Sequence, residues 1–223
     1  MRRLAPRLAL LLASAAVPVM LVAGCSSGPG SSNGTQSESA GASPSPASAK
    51  YPKVPDPCKA ISQNTVTSMV QGVKNASGQL VSSANANDHG GCSWSGVNGY
   101  QYRYLDDSFQ RFDSAPGDGS AEAQAVLGFQ SAVQGAAKAA GAQTTQISGV
   151  GDQATLITWD VNNDKTDYHY ATVVARTSNV IVTVDFSGAG LEGDRKPKAD
   201  QMDQDAQQTV QEAIASVQAT ATQ

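Results

Sequence analysis

Apolar positions in this chain follow three spacings, and each spacing predicts a different kind of segment. The first is continuous: from Leu8 to Val22 nearly every residue is apolar or small, after a start that carries Arg2, Arg3 and Arg7. That is the length of a secretory h-region and short for a membrane span. The second spacing is helical. Val66, Met69, Val70 and Val73 fall at i, i+3, i+4 and i+7, with Asp56-Pro57 and Ser62 as caps and Gly72 as the stop. Val126, Phe129, Val133, Ala136 and Ala140 mark a second helix between Ser120 and Gly141. Met202, Ala206, Val210, Ala213, Ile214 and Val217 mark a third, from about Ala199. The remaining spacing is the alternation of strands. Cys92-Ser93-Trp94 predicts one strand, Tyr100, Tyr102 and Tyr104 after the Asn98-Gly99 turn another, and Ala154 to Trp159 a third. Tyr168–Arg176 and Asn179–Phe186 form a hairpin so rich in valine that it belongs at the centre of a sheet. Ser82–Gly91, Asp106–Gly119 and Ser187–Lys198 are predicted loops. The order of elements predicts an α+β domain, a mainly antiparallel sheet with helices packed on it.

The first run sets the address. Val22-Ala23-Gly24-Cys25 fits a lipobox: small side chains admit the peptidase, and the thiol takes the lipid. The expected division is a lipoprotein signal peptide over 1–24 and a lipidated Cys25. A Ser/Gly/Pro linker with little to bury follows to residue 50, then one extracytoplasmic domain over 51–223. Two acyl chains on Cys25 suffice for a stable membrane anchor. Arg2-Arg3 is followed by Leu4-Ala5-Pro6, a poor match to twin-arginine export. A flexible linker of this length reaches roughly 25–30 Å, so the domain stands off the outer face of the cell membrane.

Charge and cysteine content narrow the partners. Losing Arg2, Arg3 and Arg7 leaves 12 of 15 Lys and Arg against 19 Asp and Glu, a net charge of −7. Such a chain is a poor binder of nucleic acid and of anionic headgroups. Cys58 and Cys92 are the other two cysteines. An even pair in an oxidising compartment predicts a disulfide; the alternative, two thiols ligating a metal, lacks a CxxC or a clustered histidine.

With Val22-Ala23-Gly24-Cys25, the Ser/Pro linker, Asp56-Pro57-Cys58 and Cys92-Ser93-Trp94, the chain resembles a family of actinobacterial lipoproteins whose shared domain has no assigned function. Val150-Gly151-Asp152-Gln153-Ala154 and the closing Val-rich hairpin and helix extend the likeness over most of 52 to 218. The resemblance implies the Cys58–Cys92 disulfide and anchoring at Cys25, and supplies no catalytic residue.

Candidate chemistry is thin. The nucleophile-elbow, zincin and Ser-x-x-Lys signatures are absent. His89 and His169 lie 80 residues apart and read as a loop histidine and a solvated strand histidine, so no metal is expected. Asp106-Asp107 reads as a strand end entering a loop. Gly117-Asp118-Gly119-Ser120 and Gly149-Val150-Gly151-Asp152 fall short of phosphate or dinucleotide loops. No cofactor is expected. Trp94, Tyr100, Tyr102 and Tyr104 are the candidate binding surface, since aromatics at period two share one face. The function expected is non-catalytic binding of an envelope protein, a wall polymer or a small ligand. A carrier holding an amphiphile in an apolar cavity is the alternative, and an envelope hydrolase is less favoured.

Overall fold

The computed structural model describes residues 47–81 and 85–222. The predicted signal peptide, Cys25 and most of the predicted linker lie outside them. Among the described residues, seven antiparallel strands form one sheet in the order β1-β2-β3-β7-β6-β5-β4. They are β1 Gln79–Val81, β2 His89–Asn98, β3 Gln101–Arg111, β4 Gln143–Ile147, β5 Gln153–Asn163, β6 Thr166–Thr177 and β7 Val180–Gly190. The Val-rich β6–β7 hairpin is central, as its pattern demands. Four α-helices of the described residues pack on the sheet: α1 Pro57–Ala60, α2 Gln63–Met69, α3 Ala121–Ala136 and α4 Ala199–Ala219. The fold is α+β, with one disulfide joining Cys58 to Cys92 at a Cα separation of 5.1 Å.

Register assigns every strand residue to a face. On the inner face, Trp94, Leu105, Phe186 and Ala171 lie in one cross-strand row. Val173, Val182 and Val184 share that face, and α1, α2 and α4 close over it through Ile61, Val66, Val70, Met202, Ala206, Val210 and Ala213. Asp56 caps α1 by accepting from the Cys58 N–H, with Pro57 in the first turn; Ser62 caps α2 by accepting from the Thr65 N–H. The Glu212 carboxylate on α4 accepts from the Ser62 N–H at 2.9 Å and the Thr65 hydroxyl at 2.5 Å, joining α4 to the start of α2. Tyr51, the first residue of the expected domain, is tied to the β6–β7 turn. Its N–H donates to Asn179 Oδ1, and the Asn179 amide donates back to the Tyr51 and Phe112 carbonyls.

The outer face is covered at one end. There α3 presses Phe129 onto Ile157, Val174 and Ile181. Its small residues bring it close: a Cβ at Gly128 would sit 2.7 Å from the Phe112 ring and 2.8 Å from Ile181. Its Ala/Gly content thus seats the helix closely on the sheet.

Several expectations are corrected. Residues 89–91 belong to β2 and residues 106–111 to β3, because their alternation continues the pairing of those strands. β7 runs on to Gly190, so Ser187–Gly190 are strand. The short edge strands β1 and β4 carry too little alternation to be read locally. Tyr100 lies in the β2–β3 turn and is 59% exposed.

Candidate functional site

The outer face beyond α3 is open, and register sorts its side chains into rows. The outermost row runs Val97, Tyr102, Ala189, Tyr168, Val161 across β2, β3, β7, β6 and β5. The next runs Ser95, Tyr104, Ser187, Tyr170, Trp159, and the third runs Ser93, Asp106, Asp185, Thr172, Ile157. Small residues on β7, Ser187 and Ala189, thus lie between tyrosines on both sides. Tyr102 and Tyr104 form one wall of a cleft of about 490 Å³, Tyr168 and Tyr170 form the other, and Leu191 borders it. Strands two apart are separated by roughly 10 Å. A planar or alkyl group in van der Waals contact with rings on both sides needs about 7 Å. Trp159 stacks on Tyr170 at 5.0 Å, nearly parallel, and Tyr168 on Tyr170 at 6.2 Å, so the β6 wall is braced from behind.

One row inward lies a carboxyl pair. Asp106 and Asp185 are register partners and hydrogen-bond each other. The Thr172 hydroxyl donates to Asp185, and the Tyr104 hydroxyl reaches Asp106 at 3.5 Å. Burial, then the neighbouring Asp185 charge, pushes the Asp106 carboxyl up to about 6. Burial raises Asp185 as well. Tyr102 and Tyr104 are raised mainly by burial and remain protonated, able to donate.

The structure divides the predicted aromatic surface. Tyr102 and Tyr104 belong to the cleft. Trp94 faces the other way, 2% exposed in the core, with its indole N–H donated to the Ala76 carbonyl at 3.2 Å. Trp94 and Tyr102 both line a separate depression along β2. The tyrosines of β6 that complete the cleft were legible as strand residues, but nothing local pairs them with β3.

His169 is also corrected. It is 4% exposed, with Nδ1 at 2.8 Å from Asp160 and Nε2 at 2.9 Å from Asp203. Lys196 donates to Asp160 at 2.5 Å. Both ring nitrogens are engaged, so the ring has no nitrogen left for a substrate proton; it fastens β5 and β6 to α4. His89 lies on the outer face and His169 on the inner, so they do not meet. Among the described residues no group of three His, Cys, Asp or Glu is arranged to hold a metal. Asp152, in the second glycine-rich turn, accepts from the Ser178 N–H at 2.6 Å and pairs with Arg176, which ties that turn to the β6–β7 hairpin.

No family model matches the chain, and no curated protein matches it significantly. Among solved structures, Ara h 8.0201 aligns over 79% of this chain and 93% of its own at 11% identity and a TM-score of 0.20. TTHA0849 from Thermus thermophilus aligns over 75% and 88% at 9% identity and a TM-score of 0.16. Likenesses at that level carry no conclusion about fold or activity.

Proposed function

We propose that this protein is a lipid-anchored, extracytoplasmic binding domain without catalysis, and that its binding surface is the tyrosine cleft on the open half of the sheet. The observation that carries the reading is the cleft itself. Four tyrosines flank a strand of small residues on a face that α3 leaves uncovered. Aromatic side chains supply large, rigid contact area at low conformational cost. The lipobox at Cys25 and the linker supply the anchor and the reach. Against hydrolysis stands the absence of a sequence signature, together with a histidine whose ring nitrogens are both held by carboxylates. A second reading, an amphiphile carrier, is favoured by the exposed Val97 and Val161 at the outer end of the cleft. In that case the cargo sits in the open cleft, because the space beneath α4 is filled by core.

The test is native mass spectrometry of the full chain purified from its own envelope, beside a Tyr104→Ala/Tyr170→Ala variant. An extra mass lost on denaturation and missing from the variant is the expected result. An extra mass that persists undiminished in the variant would place the site elsewhere.

A further inference from the structure

We propose that the tyrosine cleft takes an organic cation, its ammonium group drawn to Asp106 and Asp185 and its hydrocarbon body held between Tyr102/Tyr104 and Tyr168/Tyr170. The inference rests on the cleft being the binding surface and adds the chemical class of the ligand.

Charge complementarity decides the class. Among the described residues, no lysine or arginine lines the cleft. Arg103 lies between Tyr102 and Tyr104 in sequence, so strand alternation puts it on the inner face. Arg176, the basic residue nearest on the outer face of β6, is engaged by Gln153, Glu122, Asp152 and the Ser178 carbonyl. The two carboxyls do not line the cleft but lie one outer-face row inward from Tyr104, Ser187 and Tyr170, with no basic side chain in those two rows. Two half-buried carboxyls side by side repel when both ionise. Below about pH 6 a proton shared between Asp106 and Asp185 relieves that repulsion; above it, the hydroxyls of Thr172 and Tyr104 are the donors that remain.

A cation over the pair supplies the missing charge. Tyrosine rings lining the cleft attract the same sign wherever a face is open, since an aromatic ring presents negative potential from its face and recognises alkylammonium groups in cages. An anionic amphiphile meets the opposite of what it needs. A neutral saccharide can donate hydroxyls to the carboxyls but brings no charge to offset their mutual repulsion.

The pair also predicts a pH dependence. The titratable groups on its side of the sheet are Tyr104 on β3, His89 on β2, which lines a neighbouring depression together with Asp106, and, across the cleft, Tyr168 and Tyr170 on β6. Asp107 lies on the opposite face of β3, and Glu122 of α3 is paired with Arg176. The Asp106 carboxyl, raised to about 6, is the group that changes charge in the working range. Binding a cation favours the ionised pair, so affinity rises with pH through about 6 and a proton leaves on binding.

The experiment uses the full chain, with titration calorimetry and the chemical shifts of the cleft aromatics as readouts. The probes are choline and its uncharged isostere 3,3-dimethylbutan-1-ol, with benzyltrimethylammonium as a larger cation. At pH 8 the cations are expected to bind at least about tenfold tighter than the alcohol, and to weaken about tenfold by pH 5. Asp106→Asn/Asp185→Asn is expected to erase the preference for charge. Those substitutions remove buried repulsion, so the fold is expected to survive, and a thermal melt verifies it. Should the variant not fold, the cation-against-isostere comparison in the unaltered chain still decides.

Equal affinity for choline and the alcohol, or no binding of either cation, overturns the cation. The cleft itself is judged separately, by whether the mass carried from the envelope disappears in Tyr104→Ala/Tyr170→Ala. Cations failing while that mass is lost overturns the charge class and leaves the cleft standing; cations failing while it persists overturns both.

Discussion

Asp107 is 1% exposed beneath the disulfide. Its Oδ1 accepts the Cys92 N–H at 2.9 Å, while its Oδ2 has no hydrogen-bond partner among the described residues. Burial, with smaller contributions from Asp106 and Asp56, pushes its carboxyl up to about 8, against the donated Cys92 N–H. In the unfolded chain it ionises near 4, roughly the ordinary aspartate value. The folded state therefore holds the proton more tightly, and this group's contribution to stability is complete below about pH 4 and is lost as pH rises through about 8. The thermal midpoint of the domain is expected to fall between pH 5 and pH 9. Asp107→Asn is expected to flatten that slope and to stabilise the fold at pH 9 by on the order of 2 kcal/mol. A melt series whose slope is unchanged in the variant would refute the assignment. Asp106 and Asp107 stand next to each other in sequence, yet one lies on the outer face of the sheet and the other in the core. The dense run of Asp, Ser, Gly and Pro that follows them reads as one loop, and it is the pairing of β3 with β2 and β7 that shows the strand continues.

At the scale of elements, the caps of α1 and α2 were legible because they act locally, whereas α3 ends at Ala136, short of the Gly141 stop the sequence offered. Asp56, Pro57 and Ser62 do what their side chains dictate within one helical turn. Gly72 ends the α2 segment at φ +76°, where a Cβ would lie 2.2 Å from the Val97 carbonyl oxygen. The Cys58–Cys92 bond then joins the short helix α1 to β2. A four-residue helix has little cohesion of its own, so the crosslink and the packing on Ile61 hold this corner. Cys58→Ser/Cys92→Ser is expected to cost about 2–5 kcal/mol, read as a lower denaturant midpoint. An unchanged midpoint would mean that packing alone fixes α1. The edge strands escaped the sequence for a physical reason: neither face of β4 buries much, since Gln143, Thr144, Thr145 and Gln146 are all exposed. Backbone pairing to β5 defines it without a hydrophobic pattern.

For the whole molecule, the anchor remains the reading most open to direct test. Cys25→Ala is expected to leave the protein unlipidated and largely released from the membrane fraction, measured by mass and fractionation; unchanged lipidation would remove the assignment. Within the described domain, the sequence by itself determined the α+β class, the central Val-rich hairpin, the main amphipathic helices and the partners in the disulfide. Periodicity, capping and an even cysteine pair are properties of short stretches or of simple counts. The tertiary structure decided which face each aromatic uses and which strands become neighbours. Tyr102 and Tyr104 meet Tyr168 and Tyr170 because β7 inserts between β3 and β6 with small residues at the matching register. A period of two tells that alternate residues share a face; it does not tell which of the two faces the helices will cover. That choice is made by the burial of the whole sheet, which sends Trp94 into the core and leaves four tyrosines and a carboxyl pair facing outward.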